Sequence, residues 1–307
     1  MSKATREGFA DEILALGQEN PGIFIIDADL GGSCKTDAFK KALPEQHVNV
    51  GIAEQSAGGL AAGLAASGII PFVVTYAAFG SMRMLEMIRQ EVCYTNLNVK
   101  LACSHAGFTP DADGASHQCI EDMGIYTTIP NMTVCMPADY HSARKLVRAA
   151  AEKYGPVYLR FTRNGMPDIY GPDETFEFGK AKLLRPGKDA AIFAIGDTVH
   201  LALEAAAELA NEGIDARVID MHTIKPLDVA CVVAAARDTG KVVTVEDHNI
   251  FNGLGTAVGT AMAEVGCGKL RRIGVQDRFG MSAPYERLMA QNDITVENII
   301  AQVKGLQ

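Results

Sequence analysis

The sequence lacks the features that mark several protein classes. Its seven cysteines are odd in number and no two have the C-x-x-C spacing. This argues against a disulfide framework or a zinc site and for reduced thiols in a cytoplasmic chain. No basic cluster offsets the net charge of −9, so we expect neither a nucleic-acid partner nor a membrane surface. No apolar run approaches the roughly 20 residues of a membrane span, and we expect no signal peptide.

The composition fits a soluble globular protein with room for two domains. The chain has 307 residues, of which 48% are hydrophobic and 21% charged. Short apolar strands alternate with helices in both halves, which predicts an α/β fold: two domains with parallel or mixed sheets flanked by helices. We predict a first domain over 1–165, a Pro- and Gly-rich linker over 166–188, and a second domain over 189–307.

Ionisable and aromatic residues follow the predicted strands of the first half. Binding sites in parallel sheets lie at the carboxyl ends of the strands, so these side chains form a candidate site. The second half offers only Glu246, Asp247 and His248 in such positions, and we expect it to serve assembly and to do no chemistry. The residues at the strand ends of the first half are Asp29, Glu54, Tyr76, Phe79, His105, Asp113, His117 and Arg163.

The stretch "HVNVGIAEQSAGGLAAGLAASG" places Glu54 at the start of a helix made mostly of Ala and Gly. An acidic residue in the first helical turn is favoured by the helix dipole alone. However, glycine inside a helix costs roughly 0.5–1 kcal/mol relative to alanine, so several together indicate a packing reason. The small residues would let a flat group or another backbone come close to Glu54.

Three segments together are similar to one known family. "NVGIAEQSAGGLAAGLA", "SHAGFTPDADGASHQ" and "PVYLRFTRNGMP" resemble the transketolase superfamily of thiamine-diphosphate enzymes. The resemblance covers nearly the whole chain and implies a pyrimidine-binding domain followed by the family's C-terminal domain. It also implies that Glu54 hydrogen-bonds N1′ of the cofactor's aminopyrimidine and so drives proton removal from C2 of the thiazolium.

The resemblance implies further contacts with the cofactor. Tyr76 and Phe79 match aromatic residues against the pyrimidine, and Phe79 is expected to stack on it. Met82 replaces a third aromatic residue found in many transketolases, so the pocket departs from the family there, although a methionine can pack against a ring. Asp29 is expected at the cofactor site or at a subunit interface. Without the family context, ordinary core packing would explain the three apolar side chains.

The resemblance also implies a sugar site. His105 and Asp113 would contact sugar hydroxyls, and His117 would act as a catalytic residue near the reacting carbon. A second set would hold the terminal phosphate, for which arginine offers a bidentate fork. Taken alone, the histidines could be solvated or capping residues and Arg6 a surface charge. The residues predicted to hold the phosphate are Arg6, Ser33 and Arg163.

One part of the family's machinery is missing. The family's pyrophosphate-binding domain carries a GDG motif followed by an Asn, and GDG does not occur in this sequence. The chain is therefore expected to bind no metal by itself. A separate N-terminal subunit would hold the diphosphate and Mg²⁺ or Ca²⁺, and two such pairs would form a heterotetramer. The phosphorylated sugar would bind across the subunit interface.

Three other functions remain open from the sequence. The beta subunit of a 2-oxo-acid dehydrogenase has the same domain order, but the "DGASHQ" loop and the candidate phosphate residues argue against it. A subunit related to deoxyxylulose-phosphate synthase is a nearer alternative. A non-catalytic binding protein with this fold is the third, and the joint presence of Glu54, His105 and Arg163 argues against it.

Overall fold

The structure, a computed structural model, describes residues 2–306 and contains two β-sheets covered by helices. The α/β class and the sheets flanked by helices are confirmed. No helix within the described residues is both long and apolar enough to cross a membrane. The helices are α1 (Thr5–Glu19), α2 (Asp37–Ala42), α3 (Glu54–Ala66), α4 (Ala77–Met82), α5 (Leu85–Met87), α6 (Asp122–Thr128), α7 (Tyr140–Glu152), α8 (Val199–Asn211), α9 (Val229–Thr239), α10 (Leu254–Val265), α11 (Tyr285–Gln291) and α12 (Val296–Lys304).

The first sheet has seven strands in the order β10-β5-β6-β4-β3-β1-β2, and all neighbours are parallel except the edge pair β10 and β5. Its central strands are buried almost throughout, as expected for a parallel sheet with helices on both faces. The strands are β1 (Ile23–Asp27), β2 (His47–Asn49), β3 (Ile70–Tyr76), β4 (Lys100–Ser104), β5 (Thr133–Cys135), β6 (Val157–Arg160) and β10 (Thr223–Lys225).

The second sheet has five strands in the order β12-β11-β8-β9-β7, parallel except for β7 against β9. Its first strand, β7, lies inside the segment predicted as a linker, so the end of that segment already belongs to the second sheet. The strands are β7 (Lys182–Arg185), β8 (Ala190–Ala194), β9 (Ala216–Asp220), β11 (Lys241–Asn249) and β12 (Lys269–Val275).

Two local features differ from the sequence-based expectation. Strand β10 comes from the second half of the chain but pairs with β5 of the first sheet, so the halves share that sheet. The amphipathic stretch "GSMRMLEMIRQEV" predicts a single helix over 80–92, whereas the structure divides this region into α4, α5 and a π-helical segment, Ile88–Cys93. Breaks of this kind commonly occur at functional sites.

Some of the small residues of α3 allow close packing within the protein, apart from any room that they leave for a ligand. Ala57 and Ala61 lie in the core, and a Cβ on Gly58 would come within 3.0 Å of the Met87 Cβ. The glycine therefore allows α3 to approach the segment after α4 closely. Gly63 faces open space, so close packing does not explain every glycine in this helix.

Candidate active site

Four aromatic rings from two strand ends and one loop meet at the carboxyl edge of the first sheet. Tyr76 ends β3 and stacks on His105, with ring centroids 3.8 Å apart, and on Phe79, at 5.6 Å. His117 meets Tyr76 and Phe79 edge-on at 6.1 and 5.5 Å. Three separate stretches of sequence thus form one aromatic cluster, which we define as Tyr76, Phe79, His105 and His117.

His105 is held in one orientation by contacts on both ring nitrogens. Its Nε2 lies 3.3 Å from Nη1 of Arg6, and its Nδ1 lies 2.8 Å from the Ser104 hydroxyl. Because a guanidinium can only donate, Nε2 is the acceptor and Nδ1 carries the proton. Burial, reinforced by the charges of Arg6 and Arg163, lowers the pKa of His105 to about 3, so the ring is neutral at physiological pH. The residue has a φ of 59°, a conformation that costs about 1–3 kcal/mol and is concentrated at functional sites.

Glu54 begins α3 and is 5% exposed. Its Oε1 accepts a hydrogen bond from Arg83 Nη1 at 2.7 Å. The Arg83 guanidinium also lies over the ring of Phe79, 4.3 Å from the centroid. The surroundings expected for Glu54 were small and apolar, and the structure adds this cation. A planar group thus stacks on Phe79 while it donates to Glu54.

The candidate anion-binding residues form two groups. Arg163 donates to the Pro110 carbonyl at 3.0 Å and lies 3.6 Å from the Asp113 carboxylate, with both side chains partly exposed. Arg6 donates to Ser33, but the acceptor is the Ser33 backbone oxygen, at 2.8 Å, and not the hydroxyl. Arg6 and Arg163 both act on the charge of His105, which places the two groups around one pocket.

Two of the residues predicted to bind the cofactor, Asp29 and Met82, are exposed and do not belong to the aromatic cluster. Asp29 is exposed, has a φ of 64° and accepts a hydrogen bond from Asn49 at 2.9 Å. This contact joins the ends of β1 and β2 outside the aromatic cluster. Met82 is 47% exposed, so its side chain is available to a ligand or to another chain.

Sequence reasoning missed two residues of the site. Arg83 follows Met82 and stands four positions after Phe79, a spacing that places both on one helix face and could have been noticed. Ser104 orients His105 and also lies 3.2 Å from Cys34 Sγ. Burial raises the pKa of the Cys34 thiol to about 12, so Cys34 is an uncharged packing residue. No sequence signal distinguishes Ser104 from other strand-end serines.

Comparison with known proteins supports the resemblance seen in the sequence. Residues 1–168 match the model of the transketolase pyrimidine-binding domain, and 179–299 match that of the transketolase C-terminal domain. A Methanocaldococcus jannaschii protein named as a transketolase C-terminal section is 42% identical over 98% of this chain and 95% of its own length. The 6-deoxy-6-sulfo-D-fructose transketolase subunit of a Clostridium species is 38% identical, covering 96% and 92%.

A solved structure is similar over the whole chain. It is described as a split-gene transketolase in an inactive beta-four tetramer. It is 44% identical, covers 100% of this chain and 98% of its own, and superposes with a TM-score of 0.91. The resemblance inferred from the sequence is thereby confirmed.

Proposed function

The chain belongs to the transketolase family, and from that premise we propose that it is the C-terminal subunit of a two-chain, thiamine-diphosphate-dependent enzyme. The enzyme would move a two-carbon ketol unit from a ketose phosphate to an aldose phosphate. The observation that carries this proposal is the aromatic cluster, flanked on one side by Glu54 and on the other by Arg6 and Arg163.

The side chains fit one half of thiamine diphosphate. The Glu54 carboxylate and the Phe79 face already accommodate a flat nitrogen-bearing group, the Arg83 guanidinium. An aminopyrimidine has the same two requirements, an acceptor for its ring nitrogen and an aromatic face. This chain has no GDG motif with which to bind the diphosphate half, so we assign that half and its Mg²⁺ or Ca²⁺ to the partner subunit.

When bound, thiamine diphosphate supplies a carbon nucleophile for the sugar carbonyl. Glu54 would share a proton with the ring nitrogen at its Oε1 and so favour the imino form of the ring. Phe79 and Tyr76 would position the ring and exclude water from it. His117, which contacts both aromatic rings edge-on, would stand nearest the reacting carbon and exchange a proton with the sugar oxygen.

The sugar itself would lie between the histidines and the arginines. When Arg6 turns from His105 toward a bound anion, the unprotonated Nε2 of His105 would be free to accept a hydrogen bond from a sugar hydroxyl, and Asp113 can accept one as well. Arg6 and Arg163, assisted by Ser33, would bind the terminal anion. A phosphate fits this site, and a sulfonate would offer the same oxygens, which the name of the Clostridium relative makes worth testing.

Native mass spectrometry of this chain mixed with an N-terminal, pyrophosphate-domain transketolase subunit tests the proposal. We expect a heterotetramer of two pairs that retains thiamine diphosphate and transfers a two-carbon unit between sugar phosphates, whereas this chain alone does neither. Retention of the cofactor by a homo-oligomer, or turnover of a 2-oxo acid in place of a ketose, would contradict the proposal. A complex without any cofactor would favour the non-catalytic alternative.

A further inference from the structure

Two buried carboxyl groups of the second half lie together beneath the loop that carries the predicted sugar-binding side chains. Asp197 follows β8 in a turn of 3₁₀-helix, and Asp247 lies near the end of β11. Both are 1% exposed, and each acts on the pKa of the other, so the two carboxyl groups lie close together. Two such groups can hydrogen-bond to each other only when one of them carries a proton, because two carboxylates offer only acceptors.

The other hydrogen bonds identify the atoms that share this proton. Asp197 Oδ2 accepts from the Tyr285 hydroxyl at 2.9 Å, and Asp247 Oδ2 accepts from the Phe108 backbone N–H at 2.8 Å. Within residues 2–306, each Oδ1 is buried and has no hydrogen-bond partner. One proton shared between the two Oδ1 atoms would satisfy both of them, and without that proton both would be left unpaired.

Asp247 also fits closely against the base of the loop. A Cβ on Gly107 would come within 1.8 Å of Asp247 Oδ2, and Gly107 has a φ of 59°. Gly107 exchanges backbone hydrogen bonds with Cys119, at 2.7 and 3.2 Å, which closes the loop 108–118. His105 precedes this closure by two residues, while Asp113 and His117 lie inside the loop.

We propose that the Asp197–Asp247 pair, joined by one proton, is a positioning device with which the second half of the chain holds the loop that carries Asp113 and His117 and adjoins His105. This inference rests on the proposed function for the meaning of those three residues. The contact itself does not depend on that function, since Phe108 and Gly107 touch Asp247 in the chain alone. It would give the second half a role beyond the assembly expected from the sequence.

The surroundings determine how the pair responds to pH. Arg160 donates to the backbone oxygens of Asp247 and Cys119, each at 3.0 Å, and its charge favours ionisation of both carboxyl groups. His200 acts in the same sense on Asp197. Burial opposes ionisation more strongly and, with the charge of Asp197, raises the pKa of Asp247 well above the ordinary aspartate range. Tyr285 stays neutral, since burial raises its pKa too, and Glu286 adds a negative charge beside it.

The raised pKa in the folded state decides whether the pair stabilises the protein more at acid or at alkaline pH. The unfolded carboxyl ionises near its ordinary value of about 3.9, whereas the folded pair keeps its proton to higher pH. The stabilisation is therefore complete at acid pH and is lost as pH rises through the folded-state pKa. When both groups are ionised, their mutual repulsion replaces the shared proton, so the pair would hold the loop less firmly at alkaline pH even though the Phe108 N–H still donates to Asp247.

Hydrogen exchange of the full chain, with and without its partner, tests the inference. Asp247→Ala should speed amide exchange of residues 107–119 at least tenfold, whereas Asp247→Asn should keep it, because the amide can accept from Phe108 and donate to Asp197. In wild type the protection of this loop should fall at alkaline pH, and in Asp247→Asn it should not. In the assembled enzyme, Asp247→Ala should raise the KM for the sugar more than it lowers kcat.

Asp220→Ala is the matched control, since Asp220 is equally buried and also accepts a tyrosine hydroxyl, that of Tyr170, at 2.7 Å. It should leave exchange of 107–119 unchanged. Equal amide exchange of the loop in Asp247→Ala and wild type would overturn the inference. So would a fall in loop protection at alkaline pH in Asp247→Asn as large as that in wild type. If Asp247→Ala does not fold, the pH comparison between wild type and Asp247→Asn decides the question alone. Altered loop exchange without any transketolase activity would support the positioning role and contradict the proposed function.

Discussion

At the scale of single residues, the site depends on which proton and which charge each side chain holds. His105 is neutral because burial and two arginines oppose its protonation, and its proton is on Nδ1 because Arg6 faces Nε2. Glu54 is paired with the Arg83 guanidinium, which already donates to its Oε1. A separate prediction therefore follows for each substituted residue.

Glu54→Ala should abolish two-carbon transfer in the assembled enzyme. Loss of a group that relays a proton typically costs about 10²–10⁴-fold in rate. The measurement is kcat on a ketose phosphate, with native mass spectrometry to show that the assembly is intact. Glu54→Gln, which keeps the size of the side chain, is the control and should be nearly as inactive. Full activity in either variant would refute the proton relay.

Arg83→Ala should tighten binding of thiamine diphosphate. Arg83 occupies both the Glu54 carboxylate and the Phe79 face, so the cofactor must displace it. An ion pair with one exposed partner and a cation–π contact together contribute about 1–1.5 kcal/mol, which corresponds to roughly a tenfold change in Kd.

Calorimetric titration of the assembled complex with the cofactor measures this change. Arg89→Ala, which removes another exposed arginine of the same segment, is the control and should bind as wild type does. Weaker binding in Arg83→Ala would mean that Arg83 contacts the cofactor or the partner and is not displaced.

Arg163→Ala should impair the use of phosphorylated sugars far more than that of their unphosphorylated analogues. The loss of a charge-assisted contact with an anion is expected to cost about 1.5–3 kcal/mol, or roughly 10- to 100-fold in kcat/KM. The comparison is made with two substrates on the same variant. An equal loss on both would remove Arg163 from the phosphate site.

At the scale of elements, buried groups at strand ends couple stability to pH. Asp220 ends β9, is fully buried and accepts the Tyr170 hydroxyl, and burial raises its pKa to about 7. The unfolded group titrates at about 3.9, so its contribution to stability is complete below that value and is lost as pH rises to about 7. Above that pH both states are ionised and the dependence ends.

Asp220→Asn should therefore gain stability relative to wild type as pH rises from 5 to 7. The expected slope is up to about 1.4 kcal/mol per pH unit, levelling off at higher pH. Urea unfolding at four pH values between 5 and 8 measures it. A difference that stays constant across this range would show that Asp220 is already ionised in the folded protein.

Elements also differ in how far the sequence predicts them. The strands and most helices follow from apolar runs and their spacing, as β3 and α7 illustrate. The break between α4 and the π-helical segment 88–93 cannot be predicted in this way, because no Pro or Gly stands between Met82 and Ile88. Packing alone decides where this helix is interrupted. Strand β10 is only three residues long and is defined by its partner β5, from a different half of the chain.

At the scale of the whole molecule, the two halves depend on each other. Strand β10 covers the edge of the first sheet, and the Met136 N–H donates to the His222 carbonyl beside it at 2.9 Å. Fully buried Arg160 of β6 bonds to Asp122 of the first half and to the backbone of Asp247 in the second. A buried guanidinium that loses such partners costs several kcal/mol.

A fragment of residues 1–188 should therefore fail to fold cooperatively. It would expose the edge of β5 and leave Arg160 without its contact to Asp247. Thermal unfolding monitored by circular dichroism measures this, with the full chain as the reference. A cooperative transition of the fragment at the melting temperature of the full chain would show that the first domain is independent.

The sequence by itself determined the fold class and the family, and it supplied the candidate set of site residues. These depend on local patterns: apolar periodicity, strand ends, and the segments around Glu54, His105 and Arg163. The tertiary structure alone decided which groups share a proton or a charge. Arg83 meets Glu54 across 29 positions, and Asp247 meets Phe108 across 139. Protonation depends on burial and on neighbours from distant segments, and no local pattern contains either.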